Sequence, residues 1–234
     1  MFNPLIAKLE RLGPLSEDDR RALASAADRI KVLGPRETLI EEGAAVDHVF
    51  LIVSGWAYRH KTLPDGRRQI MALLTAGDMC CVQALFSGSI DHTIGTLAAS
   101  RVAMVPRSEF LALTDERPQV TRALWRASLI DMAILREWVV RLGQRSADER
   151  MAHLLSELLL RLEAIGLVQN DGFELPVTQT ELAEVLGLSS VHVNRVLQSM
   201  RREGLISLQG GWVTVHDRGR LEALASFDPG YLRA

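Results

Sequence analysis

The stretch Thr178-Gln-Thr-Glu-Leu182-Ala183-Glu-Val-Leu186-Gly187-Leu188-Ser189-Ser190-Val191-His192-Val193-Asn194-Arg195-Val196-Leu197 decides how the rest of this 234-residue chain is read. Two helices crossing at a tight turn need a small residue where they approach, a glycine in the turn and an aliphatic residue on the inner face of the second helix. Ala183, Gly187 and Val193 occupy those positions in order. Ser189 suits an N-cap, because its hydroxyl can accept from an orphan backbone N–H. Val193, Val196, Leu197 and Met200 then share the inward face. Ser189, Ser190, Val191, His192, Asn194, Arg195, Gln198 and Arg201 are left on the leading or outer face, where a recognition helix meets the major groove. Arginine can grip guanine O6 and N7 with two N–H groups, and asparagine can read adenine. A β-hairpin wing is expected next: residues 205–208, a Gln209-Gly210-Gly211 turn, then residues 212–215.

Charge supports the same reading. The chain is −2 overall. Between residues 190 and 220, however, Arg195, Arg201, Arg202, Arg218 and Arg220 face only Glu203 and Asp217. A local positive surplus on an acidic chain is the electrostatic footprint of phosphate contact. Winged helices also serve as protein-interaction modules, so a dimeric scaffold or regulatory module without sequence-specific DNA binding is the alternative.

Upstream of this segment the periodicity changes twice. From about residue 30 to 106, apolar runs at 48–53, 69–74 and 101–105 are separated by Glu42-Gly43, Ser54-Gly55, Pro64-Asp65-Gly66, Ala76-Gly77-Asp78 and Ser87-Gly88. Short strands with such turns predict an antiparallel barrel or sandwich. From Pro118 to about residue 142 there is no internal proline or glycine, which predicts one long helix ending at Gly143. It carries two apolar faces. One holds Ala127, Ile130, Ile134 and Trp138; the other holds Trp125, Leu129, Met132 and Val139. A helix apolar on two sides must be covered on two sides, so one cover is expected to be a second copy of the chain, the alternative being a helix buried in the core of a single chain. The interface is assigned to Ala127, Ile130, Ile134 and Trp138. A second helix follows over about residues 146–165, with Ser146 and Glu149 in capping-box spacing.

Taken together these features predict an α+β chain: an antiparallel jelly-roll-like β-roll over 1–117, a dimerisation helix over 118–143 and a winged helix-turn-helix domain over 144–234. Other classes find little to build on. With 47% hydrophobic and 24% charged residues the chain has the make-up of a folded globular protein. Cys80 and Cys81 are the two cysteines and are adjacent, which gives no disulfide framework and no Cys-x-x-Cys metal pair. No nucleophile elbow, glycine-rich phosphate loop or His-Glu-x-x-His motif occurs, so an enzyme is not expected. The absence of a signal-like N-terminus or a bilayer-length apolar run points to the cytoplasm and away from a membrane partner.

The order of parts resembles the Crp–Fnr superfamily of transcription regulators over about residues 15–215. The resemblance is carried by Glu37-Thr-Leu-Ile-Glu-Glu-Gly43, by residues 48–53 leading into Ser54-Gly55, by Pro64-Asp65-Gly66-Arg67, by Gly77-Asp78 and, most specifically, by residues 182–195. It implies a bacterial homodimer that reads a two-fold symmetric site in double-stranded DNA, and that engages RNA polymerase if it activates. It also implies an effector pocket in the β-roll, here Met79, Cys80, Cys81, Val82, His92 and Thr93. Cyclic-nucleotide-binding members carry Arg-Ser or Arg-Thr where this chain has His92-Thr93, and Gly-Glu where it has Cys81-Val82. An imidazole replaces a guanidinium fork and the ribose acceptor is gone, so cyclic AMP is not the expected effector. The cysteine cluster of oxygen-sensing members is missing. Haem, with His60, His92 or His153 as ligand, and a Cys80-Cys81 redox switch are the remaining cofactor readings. Many members have glutamate where Val191 stands, which removes an acceptor for cytosine N4 and implies a different operator. Arg195 matches the family's recognition-helix arginine.

Overall fold

Local turn and capping chemistry accounts for most of the element boundaries in the computed structural model, which describes residues 3–233. Contacts gather the chain into two units. One runs to Arg67 and resumes over Met71–Leu129; the other is Ile130–Arg233 together with Arg68–Ile70.

The first unit begins with two helices that the periodicity did not signal, α1 (Pro4–Glu10) and α2 (Glu17–Ala26). Their start signals are nevertheless in the sequence. Asn3 caps α1 ahead of Pro4, and Ser16 and Asp19 form a reciprocal capping box on α2. Eight strands follow: β1 (Ile30–Leu33), β2 (Thr38–Ile40), β3 (His48–Ser54), β4 (Ala57–Thr62), β5 (Arg68–Leu74), β6 (Met79–Cys80), β7 (Thr93–Thr96) and β8 (Ser100–Pro106). They form two four-stranded antiparallel sheets, ordered β1-β8-β3-β6 and β2-β7-β4-β5. This is the expected β-roll. Val49 lies opposite Val105 and Leu51 opposite Ala103. Leu51, Ile52, Ile94, Val102 and Ala103 are sealed in the core. The tight β3–β4 turn depends on Gly55 at φ +89, where a Cβ would stand 2.4 Å from Ser100 Oγ and 2.5 Å from the Ala99 carbonyl. The short helix α3 (Ala84–Ser87) separates β6 from β7, and α4 (Arg107–Glu116) follows β8.

Helix α5 (Pro118–Gln144) has 27 residues and passes through Gly143, where the sequence predicts its end. Its two faces have different fates, and the face expected at the interface is the one the chain itself covers. Ala127 is covered within the first unit, Trp138 within the second at only 1% exposure, and Ile134 is buried too. Ile130 is partly covered. The chain itself buries this face, so it has little left for a partner. The uncovered face carries Trp125 (70% exposed), Leu129, Met132 and Val139 (64%), with Leu135 and Val140 beside them.

In the second unit α6 (Ala147–Glu163) starts at the Ser146–Glu149 capping box. It is buried nearly all round, through Met151, Ala152, Leu154, Leu155, Leu158, Leu159 and Leu162. Around it lie β9 (Gly172–Glu174), α7 (Gln179–Leu186), α8 (Ser190–Arg202), β10 (Ile206–Gln209), β11 (Trp212–Val215) and α9 (Arg218–Leu224), then a 3-10 turn, Pro229–Leu232. The three strands pair in the order β10-β11-β9.

Candidate nucleic-acid interface

Capping chemistry sets α7 against α8. The Thr178 hydroxyl accepts from the Glu181 N–H at 3.1 Å, and the Glu181 carboxylate accepts from the Thr178 N–H at 2.7 Å. The far end of α7 closes on Gly187 in the left-handed region (φ +62), where an added Cβ would meet Leu142 Cδ2 at 3.2 Å. The chain then turns and Ser189 starts α8, its hydroxyl accepting from the His192 N–H at 3.3 Å. Val193, Val196, Leu197 and Met200 are all buried and anchor the helix.

The opposite face is open. Ser189, Ser190, Val191, His192, Arg195, Gln198 and Arg201 are exposed, and Val191 is 65% exposed. Asn194 sits half-buried on the flank, less available to a base edge than its neighbours. Among the described residues Arg195 and Arg202 make no ion pair. Among the described residues the guanidinium groups of Arg201 and Arg220 donate only to backbone carbonyls, Leu208 and Glu203, both at 3.3 Å, and so keep their charge for an outside anion. Arg218 differs: it pairs with Glu222 at 2.9 Å and Glu163 at 3.2 Å, and it leaves the positive tally. The wing follows directly. Gln209 pairs with Trp212 across Gly210 and Gly211 (φ +58 and +81), the two left-handed residues of a type I′ hairpin turn. The result is a helix presenting exposed cationic and polar groups beside a hairpin, the combination that lies in a major groove with its flank on the backbone.

The segment expected to hold an effector is arranged differently. Cys80 and Cys81 are both fully buried and unbridged. Cys81 has φ +70, and burial pushes its thiol up to about 12. A thiol held protonated in an apolar core is a poor redox nucleophile, which speaks against the switch reading. His92 is buried, with Nδ1 2.7 Å from an Asp91 oxygen. Burial lowers its pKa, against the pull of Asp91, so the ring stays neutral at pH 7. The Thr93 hydroxyl accepts from the Glu42 N–H at 3.1 Å. Met79 and Val82 are half-buried. A cyclic nucleotide needs a cation for its phosphate and an acceptor for its ribose; a neutral His92 and the Cys81-Val82 pair supply neither. A guanidinium close by was not singled out from the sequence: Arg59 on β4 donates to the Met79 carbonyl at 2.9 Å. A lone arginine in Ala57-Tyr-Arg-His was the only signal for it. The haem candidates are engaged elsewhere, His60 stacked on Tyr58 and His153 buried in the second unit.

Comparison with known proteins bears on both units. The Crp-like helix-turn-helix domain matches residues 149–224, and the cyclic nucleotide-binding domain matches residues 30–117. The nitrogen fixation regulation protein FixK of Bradyrhizobium diazoefficiens is 31% identical over 81% of this chain and 79% of its own length. The transcriptional activator protein FnrL of Cereibacter sphaeroides is 32% identical over 79% of this chain and 75% of its own. Among solved structures, FixK2 from Bradyrhizobium japonicum superposes with a TM-score of 0.73 at 25% identity, covering 85% of this chain and 98% of that one.

Proposed function

We infer, because this chain belongs to the Crp–Fnr family of DNA-binding transcription regulators, that two copies pair along α5 and present two α8 helices to a palindromic operator. One observation carries this reading: the polar face of α8 stands clear of the protein, with Arg195 unpaired, while its apolar face is fully anchored. Ser189, Ser190, Val191, His192, Arg195, Gln198 and Arg201 form the reading surface, with Asn194 at its edge. Arg195 is the base-reading or phosphate-gripping group, and Val191 favours a thymine methyl over a cytosine amine.

The pairing surface is the stripe Trp125, Leu129, Met132 and Val139. Its spacings of four, three and seven are those of a coiled-coil seam. Water exposure of these side chains in a lone chain leaves a large apolar area to be covered, and a second copy supplies a matching stripe. Half-sites then lie about one helical turn (~34 Å) apart. An effector bound around Met79, Cys80, Cys81, Val82, His92 and Thr93 gates the DNA-competent state by changing how the α5 helices pack. The chemistry of that segment suits neither cyclic AMP nor haem. RNA polymerase joins as a partner where the protein activates, and the cytoplasm is the place of action.

Fluorescence anisotropy with labelled genomic fragments tests the reading. The expected result is a sequence-selective rise in anisotropy whose log affinity falls linearly with log salt. Binding without selectivity at every salt concentration would favour a scaffold instead.

A further inference from the structure

The C-terminal half of α5, the helix α6 and the segment after α9 enclose a cluster of charged side chains that DNA reading does not use. Arg141 is fully buried, with its guanidinium carbon 4.0 Å from the Trp138 ring centre. Glu157, also fully buried, accepts from Trp138 Nε1 at 3.0 Å, from Arg161 at 3.2 Å and from the Tyr231 hydroxyl at 3.1 Å. The buried His153 ring meets Phe227 edge-on at 5.3 Å and stacks with Tyr231 at 6.0 Å. Among the described residues, no hydrogen-bond partner reaches either ring nitrogen of His153 or any guanidinium nitrogen of Arg141. Glu137 is the near acid, 3.7 Å from His153 Nε2.

Residues 226–232 form the cover, and closing it is opposed twice. Dehydrating donors without giving them acceptors is unfavourable. The cover also leaves α9 through Ser226 at φ +45, the left-handed position that normally takes glycine. The Phe227 N–H closes that cap on the Glu222 carbonyl at 2.9 Å. Closure is favoured by the Tyr231–Glu157 bond, by the ring contacts on His153, and by Arg145 Nη1, which donates to the Ala225 carbonyl at 2.8 Å just before the pivot. Opposing contributions of this kind make a segment poised between two states rather than locked in one.

We propose that residues 226–232 are a strap that opens and closes over the α5–α6 elbow, and that acid opens it through His153. In the closed form burial, then Arg145, then Arg141, hold the imidazole well down, at about 3. The groups facing it are Glu137 and Arg141 from α5, Arg145 from the link after it, Glu157 from its own helix and Tyr231 from the strap, and the two arginines outweigh the acids. An imidazole released to water titrates near ~6.5. The closed form therefore binds no proton between pH 7 and 5, whereas the open form gains one as pH falls through ~6.5. Closure is at full strength above that pH and weakens below it, by up to about tenfold per pH unit.

The chain has two tyrosines, Tyr58 in the β-roll core and Tyr231 on the strap, so fluorotyrosine labelling gives two fluorine NMR signals. Tyr58 reports that the protein is folded; Tyr231 reports the strap. Between pH 6.5 and 5.5 the open-to-closed ratio at Tyr231 is expected to rise at least about threefold in the intact protein. It should stay nearly level in His153→Gln, which cannot take up a proton in that range. Phe227→Ala, which removes a half-buried ring contact, should shift the ratio toward open at every pH while keeping the pH response. A Tyr231 signal that ignores pH in the intact protein, or a His153→Gln response equal to the parent's, overturns the proposal.

Discussion

The outer face of α8 and the segment from Met79 to Thr93 differ in what their polar groups are doing. On α8 the apolar side chains hold the helix, and most of the polar ones point away from the protein. In the β-roll segment the groups at the expected pocket positions are turned to the protein: the buried His92 leans on Asp91, Thr93 holds the Glu42 backbone and both thiols are buried. Both regions keep the scaffold of their family, but the first presents an exposed arginine where the second presents a neutral imidazole and a buried thiol. A family's fold survives replacement of polar residues so long as packing and turns persist, whereas a ligand site does not. The family therefore carries the DNA-reading end of this molecule further than it carries any signal.

That contrast can be strained from the strongest lever to the weakest. Leu129→Glu places two carboxylates against each other in the proposed α5 seam. Dimerisation should weaken at least about 100-fold, since each unpaired charge in a dry seam costs roughly 3 kcal/mol or more. Sedimentation equilibrium reads the loss, and gel shifts should show operator affinity falling with it. Unchanged association would move the interface off this face. Arg195→Ala comes next, with specific binding weakened by roughly 1–3 kcal/mol and the melting temperature unmoved because the side chain is exposed. Gly187→Ala is smaller. It forces a Cβ into a left-handed turn beside Leu142 and should cost about 1–2 kcal/mol of stability in denaturant titration. The weakest lever is cyclic AMP, which should change DNA affinity by less than about twofold even at millimolar concentration. Tight binding by calorimetry would contradict the ligand chemistry read from His92 and Cys81-Val82.

Much of this was legible without coordinates, for identifiable reasons. The helix-turn-helix announces itself through Ala183, Gly187 and Ser189, because each answers a steric or capping requirement set within a few residues. The strands at 48–53, 69–74 and 101–105 were readable from their turns, and the observed β3, β5 and β8 contain them. Three things were not legible. The faces of α5 are both apolar, and which one the chain covers depends on what packs against each, so Ile134 and Trp138 carry no mark in the sequence that separates them from Leu129 and Val139. Arg218 counted as a free charge until Glu163, 55 residues away, was brought beside it. Helices α1 and α2 are short and weakly periodic, and only their caps betray them.

The central claim is that paired α8 helices enter successive major grooves. Selection of bound duplexes from a random-sequence pool, followed by sequencing, tests it most directly. The account predicts enrichment of a two-fold symmetric motif whose half-sites are centred about one helical turn (~10 base pairs) apart, lost in Arg195→Ala at one position of each half. A pool that stays random at every salt concentration, or yields one unpaired half-site, would contradict it.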